Sequence, residues 1–201
     1  MSAKLVVLIS GNGSNLQAIL DACAWNELPA SVDAVFSNKS AAYGLTRARN
    51  AGVPATCFPK LPDESRRDYD TRLAEEVARY QPDYVILAGW MRLLTSAFLA
   101  PFPNRVINLH PALPGTFPGT HAIERAYDAW QCGETDRSGV MVHLVPDEGV
   151  DNGPVLATQE IFFQEGELLE KFEARVHAIE HNLLVATIKS QIENRKSKIA
   201  D

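Results

Sequence analysis

The run Lys4 to Ser10, Lys-Leu-Val-Val-Leu-Ile-Ser, carries aliphatic side chains at consecutive positions and most constrains what this chain can fold into. Successive side chains of a strand point to opposite faces, so such a run is buried on both sides, as in a parallel sheet covered by helices. Further strand-like runs follow at Ser31 to Ser37, Val53 to Phe58, Tyr84 to Ala88, Val106 to His110, Ser138 to Val145 and Val155 to Phe163. Between them lie segments of helical period: Leu16, Ile19, Leu20 and Cys23; Ala42 to Ala51, closed by Gly52; Tyr69, Leu73 and Val77; and Ile123, Tyr127 and Trp130. A last helix is traced from Glu167 by Leu168, Phe172, Val176, Ile179, Leu183 and Ile192. The expectation is an α/β fold with a mostly parallel central sheet and helices on both faces. At 201 residues and 46% hydrophobic content, one domain is expected.

The loop after the first strand reads Gly11-Asn-Gly-Ser-Asn15 and opens a helix that Ser14 or Asn15 can cap. Strand, glycine loop and helix N-terminus together favour an anion, which makes Gly11, Gly13, Ser14 and Asn15 phosphate-site candidates. A dinucleotide fingerprint would need a third glycine where Leu16 stands, and an acid where the second strand ends in Ser37 and Asn38. A single phosphate fits better.

Chemistry is expected at residues 105–119. Asn108 and His110 are two apart and therefore share a strand face, while Pro111, without an N–H, should end the strand and hold the imidazole at the carboxyl edge of the sheet. An amide donor beside a titratable ring suits a reaction that builds negative charge on an oxygen and moves a proton nearby. Gly89-Trp-Met-Arg-Leu-Leu94 is an apolar turn with one cation at the same edge, suited to a flat aromatic ligand or to covering the core. Ser65-Arg66-Arg67-Asp68 has capping-box form and places Arg66 at a helix entrance. The acidic loop 146–154 lacks the alternating acids of a calcium site. Asp151 there is either a turn residue or a carboxylate that folds over His110 and raises its pKa.

Composition removes other classes. A net charge of -6 and pI near 5.4, without a basic stripe, argue against a nucleic-acid partner. No apolar run reaches membrane-spanning length and the first residues lack signal-peptide form, so a cytoplasmic protein is expected. Cys23, Cys57 and Cys132 lack paired metal-ligand spacing and read as reduced, mostly buried thiols. His177-Ala-Ile-Glu180-His181 matches H-x-x-E-H, yet such spacing is common on solvated helix faces and little chain follows to supply a third ligand, so no metal is expected.

Taken together, Ile9-Ser-Gly-Asn-Gly-Ser-Asn-Leu-Gln17, Leu87-Ala-Gly-Trp-Met-Arg-Leu-Leu94, Asn108-Leu-His-Pro111 and Asp151-Asn-Gly-Pro154 resemble the folate-dependent phosphoribosylglycinamide formyltransferases over nearly the whole chain. The resemblance implies a Rossmann-like formyltransferase fold in a single domain, 1–201, with a phosphate-binding half of about 1–100 and a folate and catalytic half of about 101–201. It implies 10-formyltetrahydrofolate as co-substrate, no metal, small-molecule partners only, and purine biosynthesis as the setting, with a homodimer left open. By the same resemblance Gly13, Ser14 and Asn15 would hold the ribonucleotide phosphate and Glu180 would lie near its glycinamide end. Arg66, Met91, Arg92, Leu93, Leu94 and Asn108 would contact folate. Asn108, His110 and Asp151 would be catalytic, His110 moving the proton. A folate hydrolase or another formyltransferase on the same scaffold is the alternative. More remote are a nicotinamide oxidoreductase, a zinc hydrolase and a noncatalytic nucleotide-binding module.

Overall fold

The computed structural model describes residues 2–200. Seven strands form one sheet in the order β3-β2-β1-β4-β5-β6-β7. The strands are β1 Ala3–Ile9, β2 Ala30–Ser37, β3 Ala55–Cys57, β4 Tyr84–Leu87, β5 Val106–His110, β6 Arg137–Leu144 and β7 Val155–Phe162. β1 to β5 pair in parallel, whereas β6 runs antiparallel to β5 and β7 antiparallel to β6. The helices are α1 Ser14–Ala24, α2 Gly44–Asn50, α3 Arg66–Ala78, α4 Ser96–Leu99, α5 Ala122–Gln131 and the 32-residue α6 Leu169–Ala200. The expected architecture is the observed one. None of these helices is long and apolar enough to cross a membrane.

The unbroken aliphatic runs split between two cores, as the two-residue period of a strand requires. Leu5, Val7 and Ile9 of β1, with Ile107 and Leu109 of β5 and Val140 and Val142 of β6, pack beneath α1, α2, α5 and α6. Val6 and Leu8, with Val85, Leu87 and Val106, pack beneath Tyr69, Leu73 and Val77 of α3 and Phe98 of α4. The first core extends across β6 and reaches Ile161 of β7. The second reaches β5 only at Val106, beside α4, and among the described residues takes in none of β6, which leaves the Asn108–His110 end of β5 and the facing part of β6 outside it. The turn 89–95 and the loops 111–121 and 146–154 line this uncovered part of the sheet instead.

Several local expectations are corrected. α1 is capped by Gly13, in left-handed conformation at φ 75, and by neither Ser14 nor Asn15. A side chain at Gly13 would place its Cβ 2.7 Å from Gly44 Cα, so the close approach of loop and α2 excludes a larger residue. Pro54 lies outside β3, which is confined to Ala55–Cys57. The four-residue α4 was not expected from pattern, and α6 begins after Leu168, which is 62% exposed instead of inward. Cys132 is exposed while Cys23 and Cys57 are half-buried, so the free thiols sit nearer the surface than their apolar neighbours suggested.

Candidate active site

The uncovered part of the sheet carries polar side chains. β5 and β6 pair so that Asn108 lies directly opposite His143, on the face turned away from Ile107, Leu109 and Val142. His110 closes β5 immediately before Pro111, as the missing N–H predicts. All three rings and amides thus stand on one small area of sheet.

Asp151 descends onto them from the 146–154 loop. A side chain at Gly153 would run into the Leu144 carbonyl, so glycine lets this loop lie tight against β6. The backbone at Asp151 is left-handed, φ 50, a conformation that Asn and Asp adopt more readily than most residues. Its Oδ1 accepts from Asn108 Nδ2 at 3.1 Å and lies 3.5 Å from His143 Nε2. Its Oδ2 accepts from the Gly119 N–H at 2.8 Å and faces His110 Nδ1 at 3.3 Å. The Leu144 carbonyl, 2.8 Å from His143 Nδ1, can only accept, so that nitrogen carries a proton, while Nε2 stands 3.1 Å from the Asn108 amide and turns toward Asp151. Asn108 is therefore aimed by the Asp151 carboxylate on one side and bordered by the His143 ring on the other.

His110 meets opposing influences. Nε2 faces the Phe117 carbonyl at 3.0 Å and Nδ1 faces Asp151, an arrangement that favours imidazolium. Burial favours the neutral ring and outweighs both, so the His110 pKa lies below the usual imidazole value. The expectation that Asp151 raises the histidine pKa holds for its own contribution and fails for the sum. Burial likewise works to raise the Asp151 carboxyl, but the His143 and Gly119 donors and the facing rings hold it below the usual carboxylate range.

These groups border a cavity of about 380 Å³. One wall is Gly89 to Leu94, and the other is made by Gly119 to Ala122 and Asp147 to Asp151. Met91 and Leu93 are exposed, whereas Trp90 and Leu94 are buried in the second core. The Arg92 guanidinium lies 4.7 Å from the Tyr69 ring centroid, and Arg66 Nε donates to the Leu93 carbonyl at 3.0 Å.

The glycine loop forms a separate station. Gly44 N–H donates to the Gly11 carbonyl at 3.2 Å, and Arg47 donates to the Asn12 carbonyl and side chain at 2.9 and 3.0 Å. Asn15 Nδ2 donates to Glu180 Oε2 at 3.3 Å, and His177 Nδ1 lies 2.7 Å from the same oxygen. The Glu180 carboxylate raises the His177 pKa, and its bond from Asn15 ties α6 to the start of α1. Gly13, Ser14, Asn15 and Glu180 are thus brought together by the packing of α1 on α6. Ser14 lines a groove of about 750 Å³ between these helices, distinct from the cavity over β5.

Comparison with known proteins decides the family. A model described as formyl transferase matches residues 3–188. The chain belongs to the formyl transferase family. Phosphoribosylglycinamide formyltransferase of Schizosaccharomyces pombe is 44% identical over 208 residues, covering 98% of this chain and 100% of its own. The protein of that name from Escherichia coli K12 is 43% identical, with 89% and 82% covered. The crystal structure of glycinamide ribonucleotide transformylase 1 from Symbiobacterium toebii matches with a TM-score of 0.90 at 40% identity, over 96% of this chain and 89% of that one.

Against this formyl transferase framework, the reading by motif missed four contributors. His143 lines the cavity from β6 and Gly119 from the 111–121 loop, whose Phe117 carbonyl holds the His110 ring. Glu148 fixes the acidic loop by accepting from Ser96 N at 2.9 Å. Only His143 had a sequence signal: alternation puts it opposite to Val140, Val142 and Leu144, hence on the non-core side of its strand.

Proposed function

We propose that this formyl transferase moves the formyl group of 10-formyltetrahydrofolate onto the amine of N1-(5-phospho-D-ribosyl)glycinamide, a step of purine biosynthesis carried out in the cytoplasm on small-molecule substrates. The observation that carries the reading is a single carboxylate, Asp151, holding both the Asn108 amide and the His110 ring at the edge of a cavity of folate-compatible size.

The folate would lie between the Met91 to Leu94 wall and the 146–151 loop, with Arg66 and Arg92 at its charged end. The ribonucleotide phosphate would sit at Gly13, Ser14 and Asn15, with Glu180 toward the glycinamide. The free amine attacks the formyl carbon, and the carbonyl oxygen takes the negative charge and accepts hydrogen bonds from Asn108 and His110. Collapse breaks the bond to the folate nitrogen. That nitrogen gains a proton and the attacking amine loses one, so the imidazole of His110, which can both accept and give up a proton, serves both transfers, directly or through water. In this structure the Phe117 carbonyl takes His110 Nε2, so substrate would displace that contact. This scheme uses no metal and no covalent enzyme intermediate.

The test is absorbance of the folate product with and without the ribonucleotide. Product that forms only when ribonucleotide is present is expected. Equal formate release without it would make the enzyme a hydrolase and overturn the proposal. Asn108→Ala is expected to lower kcat by about 10²–10³ while leaving ribonucleotide binding nearly unchanged.

A further inference from the structure

Asp70, on α3, is fully buried, and neither the phosphate station nor the Asn108, His110 and Asp151 group uses it. A buried carboxylate is costly unless donors or cations hold it. Burial raises its pKa, and against this its Oδ2 accepts from the Thr95 N–H at 2.6 Å while the guanidiniums of Arg66 and Arg92 favour the carboxylate. Its Oδ1 has no partner among the described residues, nor do the buried Thr95 Oγ1, Arg92 Nε and Trp90 Nε1. Trp90 and Arg92 belong to the turn that walls the cavity, and Thr95 follows it as the cap of α4.

The contacts form a row. Arg66, Tyr69 and Asp70 lie at helical spacing on one side of α3. In turn they hold the Leu93 carbonyl, the Arg92 guanidinium and the Thr95 N–H. At its other end the same turn is pinned to β1, because Met91 N–H donates to Ser10 Oγ at 2.9 Å. One helix face therefore sets where the exposed Met91 and Leu93 stand.

We propose that Asp70 is a positioning residue for the folate wall: its carboxylate tethers the 91–95 turn through the Thr95 N–H and balances Arg66 and Arg92, so that the turn keeps its binding shape. The role of the wall rests on the reading of the cavity as the folate site. Asp70 touches no substrate in this scheme and acts through the turn.

Asp70→Ala and Asp70→Asn separate the tether from the charge, since the asparagine amide oxygen still accepts from Thr95. The readouts are hydrogen exchange at the Thr95 amide and the KM values for both substrates. In Asp70→Ala the Thr95 amide should lose protection and the folate KM should rise about ten- to a hundredfold, the range for a lost hydrogen bond to a charged group. The ribonucleotide KM should stay level. Asp70→Asn should keep the Thr95 protection and show a smaller rise in folate KM. If both KM values and kcat worsen together, with Thr95 no more affected than Val85 in the core, Asp70 merely supports the fold and the proposal is wrong. Should Asp70→Ala not fold, an unchanged folate KM in Asp70→Asn overturns it alone. A wild-type protein that binds no folate would defeat the reading of the cavity, while Thr95 exchange would still decide the tether.

Discussion

Asp151 gathers an amide, a backbone N–H and a pair of imidazoles around one carboxylate, and its effect on His110 is open to direct measurement. Removing its charge takes away an influence that favours the imidazolium while leaving burial in place. Asp151→Asn should therefore move the His110 titration, followed by NMR of the ring protons, to lower pH. An unmoved titration would deny the pairing. The sign carries into the rate: if neutral His110 is the proton acceptor in the free enzyme, kcat/KM rises with pH through a pKa below the usual imidazole value. In Asp151→Asn that limb should shift further toward acid. Asn108 and His110 were legible in the sequence because a period of two and a terminating proline leave little freedom. His143 was legible only as a residue on the non-core side of its strand, since nothing local says that β6 runs antiparallel or which residue it sets against Asn108. The net direction of the His110 shift was equally hidden, because burial is a property of the assembled loops.

At the scale of elements, the contact between the glycine loop and α2 is the most exacting. Gly13 combines positive φ with a close approach to Gly44, so Gly13→Ala must both strain the backbone and push α2 outward. A loss of about 1–3 kcal/mol in urea unfolding is expected. A rise in the ribonucleotide KM should accompany it, with the folate KM little changed; an Ala variant of full stability would show that the loop has room to relax. Strands and long helices were readable from aliphatic runs and helical period. Their ends were less so: the cap at Gly13 depends on backbone conformation, and the four-residue α4 is too short to show a period. Leu168 fitted the apolar stripe of α6 by spacing alone and lies just before the helix that would have buried it.

Across the whole molecule, α6 joins the two ends of the chain by packing on α1, β6 and β7. Leu184 in its buried stripe is 0% exposed. Leu184→Ala should cost about 2–5 kcal/mol, the range for removing a buried leucine side chain. If 1–201 behaves as one domain, far-UV circular dichroism and tryptophan fluorescence should report the same unfolding midpoint, and separated midpoints would argue for independent halves. The α/β class followed from unbroken aliphatic runs, and the family resemblance from four short motifs. What no motif could show is that on one side the helix-covered core ends at Val106 and leaves Asn108, His110 and His143 outside it. That gap has a thermodynamic outcome. A roof of irregular chain can lift without unzipping a ladder or emptying a core, so opening it costs less than global unfolding. Beneath it Asn108, His110 and His143 offer a polar floor against apolar walls, so any loosening of that roof exposes the very groups that would meet substrate while the two cores stay closed.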